Sequence, residues 1–552
     1  MLESTHRRLS PWLVIPVALA LTGLACTEAD EASAPANQQA QDNPFACQVL
    51  QDPPYDETTP YLGIHGDAGN SDIVECDTAD AFEQDWHVLK GHAIAQPNTF
   101  SPDSATTYVT AFPNADDPCT LFAIDVETGS VKWCKPLHRS IAGASVEVDQ
   151  LGNLFVTAEA SLYSYTPTGE LRWRQALDGQ EGEDPNYRSF GLHFTPSGYI
   201  ATVTLPGIVS ILDRESGAIL AQFDIATEYG FVAPEPRLPD SVDLLNFFPE
   251  SSVNDFITAF GSREAANATL GNFLGVSGSF TDNTVGISKR DEIYIQSGGP
   301  TQEDGTIVQL HLRQTDDGGL TLEKGWYVLA NGGSAASPSI SKNGRYLVLS
   351  DGAATSTALS QGESEAFVHL VDLEACNTNT DQAPEPELCL PISSQVLTRG
   401  AMAGAPPIAN DGTIYYWESG LDFTQHYEKS DLFVLESNNE VSQKQLSDGY
   451  DWSSVMTVSN NHLIGTISKF TESSEMLLTN PLPATATHQV VLIDRQSLEL
   501  VWASPLTDDS TSTLTVDREG HLYVTLFGLL NIIAVDERPT LGLVKYNPQG
   551  PR

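Results

Sequence analysis

Six side chains in this sequence are suited to binding a ligand at one common place. They are His92, Arg139, Arg188, Asn331, Arg399 and Trp452. Each precedes the turn of a recurring two-strand pattern, by 13 residues for Arg139, Asn331 and Arg399. Guanidinium groups bind carboxylates through paired hydrogen bonds, and an indole ring stacks on flat apolar surfaces. The pattern therefore predicts a mouth for an anionic or carbohydrate ligand. The alternative is that these arginines pair with neighbouring carboxylates and backbone carbonyls.

Motifs for catalysis are missing from the sequence. It contains no Gly-x-Ser-x-Gly, His-Glu-x-x-His or phosphate-binding Walker motif, and His87 and His92 are the nearest pair among 12 histidines. No Asp-x-[Asp/Asn]-x-[Asp/Asn]-Gly loop is present, so no metal site is predicted. A carbohydrate-active hydrolase or lyase with paired carboxylates stays open, because 73 acidic residues offer too many candidates to choose from.

Short hairpins are the elements that must position the six residues. A strand, a polar turn and an apolar strand recur eight times, usually with Gly or Asn where the turn needs a positive φ. The copies are FSPDSATTYV (100–109), VDQLGNLFV (148–156), FTPSGYIATV (194–203), ISKRDEIYI (287–295), ISKNGRYLVL (340–349), IANDGTIYYW (408–417), VSNNHLIGTI (458–467) and TVDREGHLYV (515–524).

A second pattern follows several of these hairpins. In FAIDVETGSVKW an Asp opens a turn, a Gly closes it and a Trp ends the next strand. We expect the Asp and Gly to shape the turn between two outer strands, and the Trp to pack on the next sheet. The residues that carry this pattern are Asp125, Gly129, Trp133, Gly169, Trp173, Asp213, Gly217, Asp494 and Trp502.

Four strands per repeat, with spacings of about 46–49 residues in the uninterrupted copies, are typical of β-propeller blades. The sequence therefore predicts an all-β protein with one eight-bladed propeller over residues 85–548. Seven blades are the alternative, if the loose first copy pairs with the last blade. Apolar residues at helical intervals in 239–268 predict a short helical insertion, acting as a lid or docking surface or merely covering an edge.

The repeat resembles the pyrroloquinoline-quinone (PQQ)-type repeat family, through Ala123-x-Asp125-x-x-Thr128-Gly129-x-x-x-Trp133. That family includes quinone-dependent dehydrogenases and non-catalytic outer-membrane assembly lipoproteins, so the resemblance implies the fold more firmly than the function. Its calcium-dependent alcohol dehydrogenases carry two adjacent cysteines against PQQ, and this sequence has no Cys-Cys pair. A non-catalytic member without a cofactor is therefore expected, and a PQQ- and calcium-dependent periplasmic dehydrogenase is the alternative.

The N-terminus predicts export. Residues 1–26 have a basic start, an apolar run from Trp12 to Ala25, and an ending that resembles a bacterial lipobox before Cys26. Lipidation of Cys26 and, because Thr27 follows it, outer-membrane sorting are expected; cleavage by ordinary signal peptidase is the alternative. Residues 27–46 are polar and predict a flexible tether.

Six cysteines remain once Cys26 is set aside, an even number suited to an oxidising compartment. Six cysteines allow 15 connectivities, and the local spacings favour Cys47–Cys76, Cys119–Cys134 and Cys376–Cys389. The second bridge, Cys119–Cys134, would join the two ends of one outer hairpin in the first full blade. It would keep the strands of that blade from separating where the ring closes. The first bridge, Cys47–Cys76, would hold residues 47–84 together as an N-terminal segment before the propeller.

The net charge of −46 disfavours nucleic acid and anionic lipid surfaces as partners. The sequence thus predicts a monomeric, non-enzymatic lipoprotein of the cell envelope, attached to a membrane through Cys26. Its propeller would serve as a binding or scaffolding platform for protein or glycan ligands, facing the periplasm or the cell surface.

Overall fold

Strands form in the hairpin repeats because β-branched and aromatic residues alternate between turns that contain Gly or Asn. In the computed structural model these strands build eight antiparallel sheets, which are the blades of one β-propeller. The predicted all-β, eight-bladed fold is confirmed. Seven blades are excluded, because the loose copy at 100–109 forms the inner hairpin of a blade of its own, with Thr99 opposite Tyr108.

The structure describes residues 45–47, 61–112, 118–137, 145–179, 181–182, 187–234, 243–247, 253–254, 257, 262–273, 278–281, 283–331, 337–350, 366–378, 388–397, 405–418, 431–438, 440–445, 451–471, 485–528 and 540–550.

The first four blades follow the order of the chain, each from its innermost to its outermost strand. Blade 1 contains Thr99–Phe100 (β2), Thr106–Thr110 (β3), Leu121–Asp125 (β4) and Val131–Lys135 (β5). Blade 2 contains Val146–Val148 (β6), Leu154–Ala158 (β7), Ser161–Tyr165 (β8) and Leu171–Ala176 (β9). Blade 3 contains Leu192–Phe194 (β10), Ile200–Val203 (β11), Ile208–Leu212 (β12) and Ile219–Asp224 (β13). Blade 4 contains Gly286–Ile287 (β14), Glu292–Gly298 (β15), Asp304–Gln314 (β16) and Leu320–Asn331 (β17).

The remaining blades complete the ring. Blade 5 contains Ser339–Ile340 (β18), Tyr346–Ser350 (β19), Ala366–Asp372 (β20) and Ser393–Leu397 (β21). Blade 6 contains Ile414–Glu418 (β22), Asp431–Leu435 (β23) and Val441–Gln445 (β24), with a bridge from Ile408 to Ile414 on its inner side. Blade 7 contains Asp451–Trp452 (β25), Thr457–Val458 (β26), His462–Thr471 (β27), Thr485–Asp494 (β28) and Leu500–Leu506 (β29). Blade 8 contains Thr515–Val516 (β30), Leu522–Leu526 (β31) and Gly542–Gln549 (β32).

An N-terminal strand, Ala81–Val88 (β1), closes the ring as the outermost strand of blade 8, paired with β32. Closure therefore pairs the first strand of the propeller with the last one in blade 8. The Cys119–Cys134 bridge joins β5 to the residues just before β4, at the two open ends of this hairpin in blade 1, as predicted.

The two faces of the ring differ in their connections. Because successive strands of a blade are antiparallel, the inner hairpin turns and the turns between third and fourth strands lie at one end, here called the turn face. The connections between second and third strands, and between one blade and the next, lie at the opposite end, here called the loop face.

Helices are few among the described residues. They are Ile225–Tyr229 (α1), a 3₁₀ helix at Leu244–Phe247, Arg263–Phe273 (α2) and Leu373–Thr378 (α3). The predicted helical insertion is confirmed by the 3₁₀ helix and α2, although α2 ends at Phe273 rather than near 268. Among the described residues, no helix has the length and apolar character needed to cross a membrane.

Tryptophans join neighbouring blades as the repeat predicts. The indole Nε1 of an outermost strand donates to a carbonyl in the outer turn of the next blade, in the pairs Trp86 with Val126, Trp133 with Pro167 and Trp173 with Arg214. A Cβ added at Gly129, Gly169 or Gly217 would lie within 3.0 Å of the facing ring. Glycine is therefore needed for its lack of a side chain as well as for its positive φ.

Aspartates fix the same outer turns. Asp125, Asp213 and Asp494 each accept the backbone N–H and the hydroxyl of the residue three positions on. These hydrogen bonds lower the pKa of all three carboxyl groups. Trp502 packs on Phe82 and Tyr546 of blade 8, with ring centroids 5.7 and 5.9 Å away.

Candidate functional site at the centre of the ring

The six residues predicted to line a mouth are not all described. Arg139, Arg399 and Cys26 lie outside the described residues. Asn331 is exposed at the end of β17, opposite Asp304 in the neighbouring strand. It is thus the one described member of the set at the surface of the loop face, and the ligand mouth stays a prediction.

The other three predicted residues are buried within their own blades. The ring of His92 packs edge-on against Phe122, with centroids 5.0 Å apart. Arg188 is 5% exposed, and burial lowers the pKa of its guanidinium while the charge of Glu159 opposes that effect. Trp452 is 2% exposed, donates Nε1–H to the carbonyl of Ser454 at 2.7 Å and packs against Gly465. Their burial fits a packing role.

A different part of the chain lies at the centre of the ring. Residues 61–76, here called the axial segment, run along the innermost strands of the blades. Backbone N–H groups at equivalent repeat positions of blades 4 to 7 donate to it: Ile287 to Ala68 (2.6 Å), Ile340 to Gly69 (2.6 Å), Ile408 to Ser71 (3.4 Å) and Val458 to Asp72 (2.9 Å). The five consecutive residues 68–72 thus contact four consecutive blades, which shows that this part of the chain follows the inner rim of the ring.

Close packing accompanies these hydrogen bonds. A Cβ at Gly69 would lie 3.1 Å from the carbonyl oxygen of Ile340, and one at Gly63 would lie 2.7 Å from the side chain of Glu147 in blade 2. Asn70 and Asp72 are fully buried, with φ angles of 55° and 51°. Asn and Asp tolerate this left-handed region better than other non-glycine residues.

A buried polar chain links the axial segment to blades 2 and 3. The amide Nδ2 of Asn70 donates to the carbonyls of Val285 and Pro338, both at 2.9 Å. Its Oδ1 must therefore accept from His193 Nε2, 2.9 Å away, so Nε2 carries a proton. The other nitrogen, Nδ1, lies 2.5 Å from Oε1 of Glu147.

The protonation of this pair follows from burial. Desolvation raises the pKa of Glu147 well above its ordinary value and lowers the pKa of His193 to about 3. A neutral imidazole protonated at Nε2 accepts at Nδ1, so the carboxyl group of Glu147 is the donor. Its second oxygen, Oε2, is buried without a hydrogen-bond partner, and it would be costly to leave charged.

A second buried network fixes the turn of the axial segment. Asp72 accepts from the hydroxyl of Tyr61 at 3.1 Å, and its other oxygen lies 2.9 Å from Nδ1 of His65. Burial raises the pKa of Asp72, against the opposing effects of His65 and Tyr61. Leu62 then packs against Phe155 and Phe194 of blades 2 and 3.

Disulfides occur in the three pairings favoured by the sequence: Cys47–Cys76, Cys119–Cys134 and Cys376–Cys389, with Cα–Cα distances of 4.7, 5.7 and 5.6 Å. The first bridge joins the end of the axial segment to residues 45–47. Those residues lie on the turn face, where Cys47 donates its N–H to the carbonyl of Arg518 in blade 8.

PQQ does not fit the centre of this ring. The axial segment occupies the space between the innermost strands, and most of its residues are buried there. Among the described residues, no group of three or more His, Cys, Asp or Glu is placed to hold a metal ion beside a quinone. A cofactor within the channel would need the volume that the chain itself fills.

Sequence reasoning missed the axial segment. The stretch GIHGDAGNSD offered a signal, because three glycines at intervals of three among short polar residues indicate close approach to other backbone. It shows neither a helical nor a strand period, so nothing local indicated where it would lie.

Comparisons with known proteins agree with this fold. Residues 119–189 match the family model described as outer membrane protein assembly factor BamB. No curated protein sequence matches the chain significantly. The quinohemoprotein alcohol dehydrogenase of Comamonas testosteroni is 12% identical, with a TM-score of 0.52, over 90% of this chain and 82% of the other. The enzyme ADHIIG of Pseudomonas putida HK5 is 12% identical, with a TM-score of 0.51, over 89% and 82%.

These identities are low enough that the two enzymes inform the fold alone. Together with the matched repeat and the eight blades, they confirm the resemblance noted in the sequence. The chain is an eight-bladed β-propeller, and its residues 119–189 are similar to the repeat family described as outer membrane protein assembly factor BamB.

Proposed function

We propose that the protein is an exported, lipid-anchored propeller that acts as a non-enzymatic platform for protein partners in the cell envelope. The observation that carries the proposal is the burial of the axial segment between the innermost strands. With its centre filled by its own chain, the ring offers a partner its loop face, its turn face and its perimeter.

Two further observations support this function. The match of residues 119–189 to an assembly factor favours a protein partner over a small molecule. The basic start, the apolar run and the lipobox-like residues before Cys26 favour export and anchoring. Loops of different length on a rigid ring are a common way to build a binding surface.

Photocrosslinking at defined positions tests the platform. A crosslinking amino acid at Asn331, exposed on the loop face, is expected to capture an envelope protein in intact cells. The same amino acid at Ser197, in the inner turn of blade 3 on the turn face, is the matched control. Capture from Ser197 and not from Asn331 would place the partner on the turn face instead of on the loop face. Capture from neither, with a polysaccharide retained instead, would favour the glycan ligand predicted for Arg139 and Arg399.

Anchoring and catalysis need separate tests. Cys26→Ser is expected to release the protein from membranes and to abolish incorporation of labelled fatty acid; unchanged membrane association would contradict the anchor.

Addition of PQQ and calcium is expected to give no dye-linked dehydrogenase activity, and uronic-acid polymers are expected to stay intact. Clear reconstitution or product release would overturn the non-enzymatic assignment.

A further inference from the structure

Five large aliphatic side chains lie exposed at the perimeter of blades 3 to 5. They are Val232, Leu329, Leu388, Leu390 and Ile392, with exposures between 39% and 71%, and together they are here called the outer apolar strip. Soluble proteins rarely leave contiguous apolar patches in contact with water, and those that they do leave mark interaction sites. Clustered exposure of this kind therefore indicates a surface that binds.

Main-chain pairing brings the leucines of the strip together. Leu388 forms a parallel bridge with Tyr327 in β17, and Cys389 donates its N–H to the carbonyl of Tyr327 at 2.8 Å. Because paired residues of neighbouring strands share a face, this register places Leu388 beside Tyr327 and Leu390 beside Leu329. The segment that carries the leucines is thus a short additional strand at the edge of blade 4.

The strip continues on both sides of this strand. The ring of Phe231, which precedes Val232, packs on the ring of Tyr327 with centroids 5.4 Å apart. Ile392 donates its N–H to the carbonyl of Leu370 in β20 at 2.8 Å. The strip therefore extends from the junction of blades 3 and 4 to blade 5.

A disulfide fixes the direction of the two leucines. Cys389 lies between them, packs against the apolar core between blades 4 and 5, and is bonded to Cys376 in α3. Alternate residues of an extended segment point to opposite faces, so Leu388 and Leu390 point away from that core. Side chains already held in place lose little entropy on binding, so the strip is a preorganised contact surface.

Acidic residues border the strip. Glu303 is exposed at the loop face, immediately before β16, and Glu374 is exposed in α3. Lys324, the basic residue of β17, lies 4.0 Å from the carboxylate of Glu228. Charge complementarity therefore favours a partner with basic residues around its apolar contact.

We propose that the outer apolar strip binds a protein partner whose surface carries an apolar groove edged by lysine or arginine residues. The inference rests on the platform function proposed above, and it names the surface and the chemistry of the partner. Leu390, which is 71% exposed, enters the groove. A second copy of this chain and an anionic membrane fit less well, because a net charge of −46 repels both.

Photocrosslinking in intact cells tests the strip. Leu329 and Asn331 share a face of β17, so a crosslinking amino acid at Asn331 reports on a partner bound there. Leu388→Ser/Leu390→Ser is expected to lower capture from Asn331 at least tenfold, because buried leucines at the centre of a contact carry much of its affinity. The matched control is Leu151→Ser/Leu171→Ser, which removes two exposed leucines of blade 2 and should leave capture unchanged.

The charge of the partner needs variants of its own. Glu303→Lys/Glu374→Lys is expected to lower capture from Asn331 at least fivefold, because the new lysines repel a basic groove. The matched control is Glu127→Lys/Glu170→Lys, in exposed outer turns of blades 1 and 2, which should leave capture unchanged. Equal capture by the two charge variants would overturn the basic groove.

The outcomes separate this inference from the platform function. Capture from Asn331 that survives the Leu388→Ser/Leu390→Ser change would overturn the strip and leave the platform standing. A crosslinking amino acid at Leu390 is expected to capture the same protein as Asn331, and capture from neither position would overturn strip and platform together. Phospholipid adducts or a dimer of this chain at Leu390, in place of a different protein, would overturn the assignment of the partner.

Discussion

Asn70, in the axial segment, determines the protonation of Glu147 in blade 2 and His193 in blade 3. Because it donates both amide hydrogens to backbone carbonyls, its oxygen must accept from His193. The proton between His193 and Glu147 then belongs to the carboxyl group. A neutral pair avoids burying two charges, which rarely recover their desolvation cost even when paired.

This neutral pair has a consequence for stability against pH. Glu147 keeps its proton in the folded state above 4.5, its ordinary pKa, so its contribution to folding falls as the pH rises toward its raised pKa. His193 stays neutral down to about pH 3, so its contribution rises with pH between about 3 and 6.5. The two slopes oppose each other where these ranges overlap, and the loss from Glu147 ends once the pH has passed its raised pKa.

Glu147→Gln is therefore expected to become the more stable protein at high pH. Its amide donates to Nδ1 of His193 as the protonated carboxyl does, but it cannot ionise. The contribution of His193 is common to both proteins, so their difference comes from Glu147 alone. The two proteins should differ little at pH 5, and at higher pH the variant should gain up to about 1.4 kcal/mol per pH unit relative to the wild type, until the raised pKa of Glu147 is passed. Denaturant unfolding at pH 5, 7 and 9 measures this. Glu170→Gln, in an exposed turn, is the control.

An ion pair would behave differently. If Glu147 were ionised and His193 charged, Glu147→Gln would leave a buried imidazolium without its partner and destabilise the protein at every pH. A variant less stable than the wild type by a similar amount at pH 5 and pH 9 would contradict the neutral pair.

At the scale of the element, the outer turn and the preceding blade's tryptophan form one unit. Trp173 lies on Gly217 and donates to the carbonyl of Arg214, so the turn needs a residue with positive φ and no side chain. In blade 7 the corresponding position is Leu498, with a φ of 57°. Leu498 is itself buried in the core between blades 6 and 7, so packing offsets the backbone strain there.

Two glycine substitutions separate strain from packing. Gly217 and Gly344 have φ angles of 74° and 71°, but a Cβ at Gly217 would lie 2.5 Å from Trp173, whereas one at Gly344 would have nothing within 4 Å. Gly344→Ala is expected to lower the free energy of unfolding by about 1–2 kcal/mol through backbone strain alone. Gly217→Ala is expected to cost at least about 1 kcal/mol more, because the indole must move. Equal losses in urea unfolding would contradict the stacking role of Trp173.

Local elements were predictable from the sequence because their contacts are local. Asp125 and Thr128 form the outer turn within one short stretch, and hairpins such as 148–156 pair with themselves. The axial segment could not be placed in that way. Asn70 donates hydrogen bonds to Val285 and Pro338, which are 215 and 268 positions away in the sequence. No periodic pattern in the sequence indicates such distant contacts. Trp326 escaped notice for the same reason, since it donates to Asn377 in α3 instead of to a turn with the repeat signature.

The burial of Trp452 shows a limit of counting along repeats. Trp452 precedes the hairpin turn as the other predicted mouth residues do, yet its indole packs against Gly465 in the neighbouring strand. Position in a repeat identifies the end of a blade, whereas the residue opposite decides whether a side chain faces solvent or core.

At the scale of the molecule, the chain closes its ring twice, through β1 at the perimeter and through the axial segment at the centre. Strand β1 and the axial segment both precede blade 1 in the sequence. They hold together a protein whose net charge of −46 favours expansion of the folded state through self-repulsion.

Salt is therefore expected to stabilise the protein. Raising sodium chloride from about 10 to 500 mM shortens the screening length from about 30 Å to less than 8 Å, which weakens repulsion between acidic side chains. The melting temperature should rise over this range, and magnesium chloride at equal ionic strength should have the same effect. A lower melting temperature at high salt would contradict dominant self-repulsion. A much larger rise with magnesium would show divalent-cation sites.

Electron density along the axis of the ring tests the central claim most directly. A crystallographic map of the mature protein at side-chain resolution is expected to show residues 61–76 continuously between the innermost strands. Asn70 should lie beside His193, and Gly63 should lie against Glu147. A water-filled channel, with this segment outside the ring, would contradict the account.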